Sequence, residues 1–397
     1  MSARELLQYC QSRQGEMIEV IRQLVELESP SNNKPAADRC GEFIAERLRQ
    51  LGAKLKIHPQ HEAGNVLQAE FAGTRPGVML LGHYDTVWEL GTLASMPFRI
   101  QAGRLWGPGV FDMKSGIALI LLALEALRVA HGESGPGGVA GQRRLAPRRH
   151  ITVLLNADEE TGSRESRQVI EALAKKSATV LVIEPAQGLR GAVKTARKGV
   201  GEFSIKVTGV AAHSGLDFEK GQSAVLELVH QIERIAGFTD LARGLTVNVG
   251  VVRGGTRANV VAAEASAEVD VRIAKLQDAP GIERKLRSLR PFNRKCKIVV
   301  SGGIRRPPME RNKNVVALYE KARIAGRELG WELEEAAVGG ASDGNFTAAL
   351  GIPTLDGLGA VGEGAHAANE SVILEELPKR TALLARLIQS LSGARPT

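Results

Sequence analysis

The sequence predicts an α/β fold: one domain with a mixed, mostly parallel sheet covered by helices, and an inserted α+β open-faced sandwich. Short continuous apolar runs at 78–82, 151–155 and 178–183 are typical of parallel strands buried on both faces. Segments with helical apolar periodicity separate these runs. From about residue 196 the pattern changes to longer strands with intervening helices, which is the texture of an α+β domain.

These patterns divide the 397 residues into three segments. Residues 1–195 and 308–397 are expected to form the two parts of one domain, and residues 196–307 a domain inserted into it. No apolar run approaches the roughly 18 residues that a membrane span requires. The amino terminus resembles the start of an amphipathic helix rather than a secretory signal. We therefore expect no membrane partner and a cytoplasmic location.

The cysteines and the excess positive charge point to no special chemistry. Cys10, Cys40 and Cys296 form no Cys-x-x-Cys pair, which favours buried or incidental thiols over a disulfide framework. The net charge is +8, and part of the excess lies in the Gly- and Pro-rich segment 132–149. We interpret this segment as an exposed loop. Contact with nucleic acid is the less favoured alternative, because no recognition motif accompanies the arginines.

The chain begins with regular elements that carry few candidate ligands. Residues 4–52 predict two helices, and strands are expected over 54–58 and 65–71. His58 and His61 lie between these strands. We interpret them as solvated loop histidines, since no third type of metal ligand lies nearby.

Candidate metal ligands follow the predicted parallel strands. His83 and Asp85 come directly after the run 78–82. At this spacing the histidine can bind a metal while the aspartate orients its ring, and a structural histidine is the alternative. Asp112 lies in a glycine-rich turn before an apolar helix, where a helix N-cap is an equal alternative.

Three more carboxylates extend this pattern. Glu159 and Glu160 follow the strand at 151–155, where acidic residues at a helix start are the alternative, and Glu184 follows 178–183. Open α/β sheets place their sites at the carboxyl ends of their strands, so the repetition favours a metal site.

The remaining candidates lie further along the chain. His213, Asn259 and Arg272 lie in the inserted segment, where a turn histidine, a turn asparagine and a surface arginine are the alternatives from spacing alone. His366, in the glycine-rich stretch 362–370, is a second plausible imidazole ligand.

Together these motifs resemble the M20 family of dinuclear zinc peptidases, in matching order over nearly the whole chain. The motifs are His83-Tyr-Asp85, Gly109-Val-Phe-Asp112-Met-Lys-Ser-Gly116, Asp158-Glu159-Glu160-Thr-Gly162, Glu184-Pro185 and Gly364-Ala-His366. Within the family the chain is most similar to the glutamate carboxypeptidase branch. The basic segment 132–149 and the segment 303–309 depart from the family pattern.

The resemblance implies a role for each matching residue. Asp112 would bridge two Zn²⁺ ions, with a cis peptide to Met113, and Co²⁺ or Mn²⁺ would be possible substitutes. Glu159 would be the general base, and Asp85 would orient a ligand. The implied ligands of the two ions are His83 and Glu184 on one and Glu160 and His366 on the other.

The resemblance also implies how substrate is bound. His213 would stabilise the oxyanion, so that His213→Ala lowers the turnover number more than it raises the Michaelis constant. Asn259, Arg272 and Gly340 match substrate-binding positions. An arginine that grips the substrate is expected at Arg306, although Arg305 remains open.

The implied reaction is zinc-dependent hydrolysis of a C-terminal amide or peptide bond, which releases an amino acid with a free carboxylate. The substrate would be a small peptide or an N-acyl amino acid. Residues 1–195 and 308–397 would form the catalytic domain, and the protein would form a homodimer through the inserted lid or dimerisation domain, 196–307. An N-acyl-amino-acid deacylase or a di- or tripeptidase is the alternative within the family. A catalytically silent metal-binding scaffold is the alternative from another class.

Overall fold

The computed structural model describes residues 1–131, 133–134, 143–145 and 147–393. The chain forms two compact units. The first comprises Met1–Ala196, Arg311–Ala337 and Ser342–Thr397, and the second comprises Arg197–Glu310 and Val338–Ala341. Among the described residues, no helix combines the length and the apolar character needed to cross a bilayer.

The helices are distributed over both units. In chain order they are α1 (Ala3–Ser12), α2 (Gln14–Glu26), α3 (Lys34–Gln50), α4 (Ser115–His131), α5 (Arg167–Ala174), α6 (Ala224–Ala236), α7 (Ala279–Arg287), α8 (Lys313–Glu328), α9 (Gly344–Ala349) and α10 (Glu376–Gly393).

The strands range from two to ten residues. They are β1 (Lys54–His58), β2 (Val66–Phe71), β3 (Thr74–His83), β4 (Arg99–Gln101), β5 (Arg104–Trp106), β6 (Glu133–Ser134), β7 (Arg143–Arg144), β8 (Arg149–Asn156), β9 (Ser177–Val182), β10 (Val193–Arg197), β11 (Gly199–Thr208), β12 (Thr246–Gly254), β13 (Glu264–Ile273), β14 (Lys297–Arg306), β15 (Glu335–Val338), β16 (Thr354–Leu355), β17 (Gly362–Glu363) and β18 (Ser371–Ile373).

A six-stranded sheet with the order β1-β2-β8-β3-β9-β16 forms the centre of the first unit. The pairs β8–β3, β3–β9 and β9–β16 are parallel, whereas β2 runs antiparallel to both of its neighbours. The predicted mixed, mostly parallel sheet is therefore confirmed.

Helices cover both faces of this sheet. Val78 and Leu80 of β3 pack into a large core with apolar residues of α1, α2, α4, α8 and α10, while Met79 and Leu81 pack into a smaller core with Ile170 of α5. The alternation follows from the two-residue period of a strand. Because both faces are buried, the strand reads as a continuous apolar run.

The amino-terminal segment differs from its prediction. The first of the two expected helices is divided into α1 and α2, which meet at Arg13, where φ is −102° and ψ is 7°. Ser2 and Glu5 form a capping box at the start of α1. The break is hidden in the sequence because Leu6 and Cys10 before Arg13 and Met17 after it all reach the same core.

Two loop predictions require correction. His58 lies on β1, and its Nε2 is 2.7 Å from Gln68 Oε1, so it is a strand residue; His61 is exposed as expected. The segment 132–149 contains β6 and β7, which pair antiparallel, and a buried Leu145. The expected exposed loop within it falls largely on residues 135–142, which lie outside the described residues.

The second unit contains a four-stranded antiparallel sheet with the order β12-β13-β11-β14. Apolar residues of β11 and β13 alternate inward and form a core with α6 and α7, including Leu228, Ile235, Ile282 and Leu286. This arrangement is an open-faced sandwich, which agrees with the predicted fold class. The three cysteines are free and buried, as expected.

Candidate metal centre

Three neighbouring parallel strands deliver polar residues to one edge of the central sheet. β3 ends at His83, β8 ends at Asn156 just before Glu159 and Glu160, and Glu184 follows the end of β9. Because β8, β3 and β9 are adjacent and parallel, their carboxyl ends meet at the same edge.

Two further turns bring the remaining candidate ligands. Asp112 lies in the turn between β5 and α4, and its peptide bond to Met113 is cis, as the resemblance implied. His366 lies between β17 and β18 at a φ of 62°, and Gly364 before it has a φ of 81°. Left-handed backbone conformation is easy for glycine and uncommon for other residues. The turn that presents His366 therefore depends on Gly364.

The predicted ligands converge within the first unit. His83 Nε2 lies 3.2 Å from Asp112 Oδ1 and 3.3 Å from Glu184 Oε1. His366 Nε2 lies 3.1 Å from Glu160 Oε2 and 3.6 Å from Asp112 Oδ2. Asp112 therefore faces one imidazole with each of its oxygens.

These separations fit the donor set of a pair of zinc-like cations. Ligands about 2.0–2.1 Å from a tetrahedral zinc ion lie about 3.3 Å from one another. The four imidazole–carboxylate separations range from 3.1 to 3.6 Å. Three carboxylates and two imidazoles also match the oxygen and nitrogen ligands that zinc prefers. The residues present therefore fit a dinuclear centre.

The electrostatics of the cluster favour positive charge at its centre. Burial alone would lower the pKa of His83, but hydrogen bonds to Asp112, Asp85 and Glu184 raise the pKa well above its usual value. Hydrogen bonds to Asp112 and Glu160 raise the pKa of His366 to about 10. Positive charge between the carboxylates is thus electrostatically favoured, and protons on the imidazoles are one source of it. Bound cations would take over this role.

Asp85 connects His83 to the turn that follows the neighbouring strand β8. His83 Nδ1 lies 3.1 Å from the Asp85 carbonyl oxygen and 3.3 Å from Oδ1, so its N–H donates there and leaves Nε2 for a metal. The Asp85 carboxylate also accepts hydrogen bonds from the backbone N–H groups of Glu159 and Glu160, at 3.3 and 3.2 Å, and from the hydroxyl of Ser31 at 2.7 Å. One buried carboxylate therefore orients three candidate site residues.

Glu159 lies beside the ligand set. Its carboxylate is within 4.8 Å of the ligand atoms of His83 and Glu184. Asp158, just before it, is used differently: its Oδ2 accepts the backbone N–H groups of Glu165 and Ser166, at 2.9 and 3.2 Å. Asp158 therefore shapes the loop, whereas the two glutamates face the site.

Arg380 supports the site but was not singled out by the sequence. Its guanidinium is buried and donates to the carbonyl oxygens of Gly191, Gly357 and Gly359, at 2.8, 2.6 and 2.9 Å. Gly359 in turn donates its N–H to the Glu184 carbonyl at 2.9 Å. An arginine on a predicted helix ordinarily indicates a solvent-exposed face of that helix. The acceptors of Arg380 are backbone carbonyl groups distant in sequence, and no sequence pattern identifies such partners.

In the second unit, His213 and Asn259 are neighbours on exposed loops. His213 forms an isolated bridge with Val260, and Ser214 donates its N–H to the Asn259 carbonyl at 3.1 Å. His213 Nδ1 accepts the N–H of Gly215 at 3.1 Å. Nε2 is consequently the nitrogen available to carry a proton toward a ligand.

Two of the predicted arginine positions share a row of the second sheet. Val200 on β11 lies opposite Arg272 on β13 and Arg306 on β14, and the pairing with β14 shifts register between Val200 and Gly201. The Arg306 residue is buried, whereas the Arg305 side chain is 64% exposed and lies 4.0 Å from Glu202.

Gly340 also lies in the second unit. Its carbonyl accepts a hydrogen bond from buried Arg197 at 3.2 Å. The structure thus brings seven predicted site residues together in the first unit: His83, Asp85, Asp112, Glu159, Glu160, Glu184 and His366. In the second unit it forms two local groupings, His213 with Asn259 and Arg272 with Arg306, and Gly340 lies beside Arg197.

Comparisons with known proteins agree with this architecture. The model of peptidase family M20/M25/M40 matches residues 79–390. Carboxypeptidase G2 of Pseudomonas sp. (strain RS-16) is 29% identical, with 98% of this chain and 92% of that protein aligned. Succinyl-diaminopimelate desuccinylase of Dechloromonas aromatica (strain RCB) is 28% identical, with 89% and 94% aligned.

Among solved structures, the fold matches a dinuclear metal-binding peptidase of family M20 from Bacillus subtilis. The TM-score is 0.67 at 15% identity, covering 96% of this chain and 99% of that one. The chain belongs to peptidase family M20/M25/M40 and is a hydrolase of that family.

Proposed function

We propose that the protein is a zinc-dependent hydrolase that cleaves a C-terminal amide or peptide bond and releases an amino acid with a free carboxylate. The observation that carries this proposal is the convergence of two imidazoles and three carboxylates, with Glu159 beside them. The match to carboxypeptidase G2 along almost the whole chain supports the glutamate carboxypeptidase-like activity.

The proposed centre holds two Zn²⁺ ions on His83, Asp112, Glu160, Glu184 and His366. When bound, the cations would supply Lewis acidity and lower the pKa of the attacking water toward neutrality. The metal-binding description of the Bacillus subtilis neighbour supports a pair of ions. A catalytically silent scaffold is disfavoured, because every candidate ligand and Glu159 are retained.

Glu159 is the proposed general base. It takes a proton from the attacking water and later passes it to the leaving amine. Its neighbour Glu160 pairs with His366, whereas Glu159 lies near His83 and Glu184. We propose His213 as the donor that stabilises the oxyanion.

Specificity for a free carboxylate is assigned to Arg272 and Arg306, with Asn259 and Gly340 at the same substrate. Two guanidinium groups suit a carboxylate through charge-assisted hydrogen bonds. The burial of Arg306, compared with the 64% exposed side chain of Arg305, supports Arg306 over Arg305.

Arg306→Ala is expected to lower kcat/KM for substrates with a free α-carboxylate by about 10- to 100-fold, the worth of a hydrogen bond to a charged group. Arg305→Ala is the matched control and should stay within about twofold of the parent, since exposed charges contribute little. Steady-state kinetics on one N-acyl amino acid measure both. An equal loss in the two variants would remove Arg306 from the proposed carboxylate site.

A substrate panel tests the reaction itself. N-acyl amino acids that differ only in the released residue, each with a free, a blocked and an amidated carboxyl terminus, are incubated with the metal-loaded protein. We expect hydrolysis only of the free acids, with glutamate preferred among the released residues. Equal hydrolysis of the amidated compounds would refute the carboxypeptidase activity.

Two related activities remain as second candidates. The similarity to a succinyl-diaminopimelate desuccinylase supports an N-acyl-amino-acid deacylase. A di- or tripeptidase is the other activity that the ligand set permits. Preferential release of a short acyl group, or a requirement for a free amino terminus, would select one of them.

We propose that the second unit is the inserted lid and dimerisation domain and that it pairs two copies of the chain. β12 is an edge strand on which Val251 and Val252 are exposed, and Val225, Leu226 and Val229 are exposed on α6. Exposed edges and apolar faces of this kind favour pairing with a second copy. Light scattering should give the mass of two chains, and Leu226→Glu should shift it toward one. A parent protein with the mass of one chain would contradict the dimer.

A further inference from the structure

Glu370 is a fully buried carboxylate that serves the turn bearing Asp112. Its Oε1 accepts the backbone N–H groups of Phe111 at 2.9 Å and Asp112 at 3.0 Å. Its Oε2 accepts the backbone N–H of Gly109 at 2.9 Å and the indole N–H of Trp88 at 2.8 Å. Four donors thus converge on one side chain.

These contacts join three segments that carry candidate metal ligands. Trp88 belongs to the loop after His83 and Asp85, and Glu370 follows His366 closely in sequence. Glu370 donates its own N–H to the Ala367 carbonyl at 2.9 Å, and Ala367 donates to Gly364 at 2.9 Å. The carboxylate is therefore attached through two tight turns to the loop of His366, and through its oxygens to the turn of Asp112.

The other end of the Asp112 turn has its own anchor. The buried Lys114 ammonium donates to the carbonyl oxygens of Leu24 at 2.7 Å and Leu27 at 2.8 Å. Residues 109–114 are consequently fixed at both ends. Asp112 lies between the two anchors, and its own N–H donates to Glu370.

We propose that Glu370 is a positioning residue that fixes Asp112 relative to His366 and thereby sets the affinity of the site for its metal pair. Groups that orient ligands from behind typically contribute about 10- to 100-fold to metal affinity. The inference rests on the metal centre of the proposed function.

Glutamine is the informative replacement because it keeps the size of the side chain. Its NH₂ group cannot accept, so two of the four N–H donors lose their acceptor whichever way the amide turns. Donors left unsatisfied in a buried place force the turn to shift. Glu363→Gln is the matched control, because Glu363 lies on β17, pairs with Arg104 at 2.9 Å and has a side chain that is 48% exposed.

The experiment titrates the metal-free protein with Zn²⁺ and, separately, with Co²⁺. We expect Glu370→Gln to bind zinc about 10- to 100-fold more weakly and to change the visible cobalt spectrum, with Glu363→Gln unchanged in both. Excess zinc should restore most of the kcat of Glu370→Gln, with little change in KM. Parent-like circular dichroism of metal-free Glu370→Gln separates weaker metal binding from a general loss of folding, because bound metal also stabilises a folded protein.

A second variant tests the role of Glu370 if Glu370→Gln does not fold. Trp88→Phe removes one donor, leaves three in place, and is expected to weaken zinc binding by about threefold or more. Parent-like zinc affinity in Trp88→Phe or in a folded Glu370→Gln would overturn the role of Glu370. A parent protein that binds no divalent ion would instead overturn the metal centre itself.

Discussion

Glu159→Gln is expected to retain both metal ions and to lose about 10³-fold in kcat. The reason is that glutamine keeps the size of the side chain but cannot accept the proton of the attacking water, and general acid–base catalysis typically contributes about 10²- to 10⁴-fold. Metal analysis of the purified variant and steady-state kinetics on the preferred substrate together measure this outcome.

The metal analysis matters because Glu159 lies close enough to ligate. Its carboxylate is within 4.8 Å of the ligand atoms of His83 and Glu184, so distance alone does not separate a base from a ligand. A variant that binds one ion fewer would make Glu159 a ligand. A variant with full metal and parent-like turnover would end its role as the base. Glu62→Gln, on an exposed loop, is the control for loss of a carboxylate elsewhere.

Much of the first unit was predictable because its strands are buried on both faces. The run at 78–82 has no polar position, and the structure buries all of these residues between two helical layers. The small sheet β17-β18-β5-β4 was not predicted. Its strands are two or three residues long and carry charged residues such as Arg99 and Arg104, so no periodicity is visible in the sequence.

The second unit shows a related limit. The expected strand at 296–301 continues as β14 to Arg306. Gly302 and Gly303 suggest a break, yet they stay in the sheet opposite Phe203 and Glu202. Gly302 has a φ of 100°, and a Cβ there would lie 2.1 Å from the Glu202 carbonyl oxygen. Glycine is required by this close approach rather than by a turn, and the sequence does not distinguish the two cases.

Some residues of the candidate site could be predicted from the sequence and others could not. Side chains that follow strand ends, such as His83 and Glu184, were predicted as candidate ligands because parallel strands align their carboxyl ends. Glu370 and Arg380 were not, since their partners are backbone N–H and C=O groups, which every residue has. Residues that act through the main chain carry no pattern of their own.

Asp112→Asn is expected to weaken both metal sites together and to reduce kcat/KM by about 10³-fold or more. Asp112 is the residue whose two oxygens face the two imidazoles, at 3.2 Å from His83 and 3.6 Å from His366. An amide offers one oxygen in place of two, so at most one cation keeps its contact. Metal assistance is worth several kcal/mol, and each 1.36 kcal/mol is tenfold in rate.

His366→Ala is the comparison that tests whether Asp112 contacts both metal ions. His366 pairs with Glu160 and Asp112. Its loss should therefore weaken the binding of one ion and leave the binding of the other ion, on His83 and Glu184, unchanged. Zinc titration of the two metal-free variants should therefore show one weakened step for His366→Ala and two for Asp112→Asn. If Asp112→Asn weakens a single step, Asp112 serves one ion only, and two separate mononuclear sites replace the bridged pair.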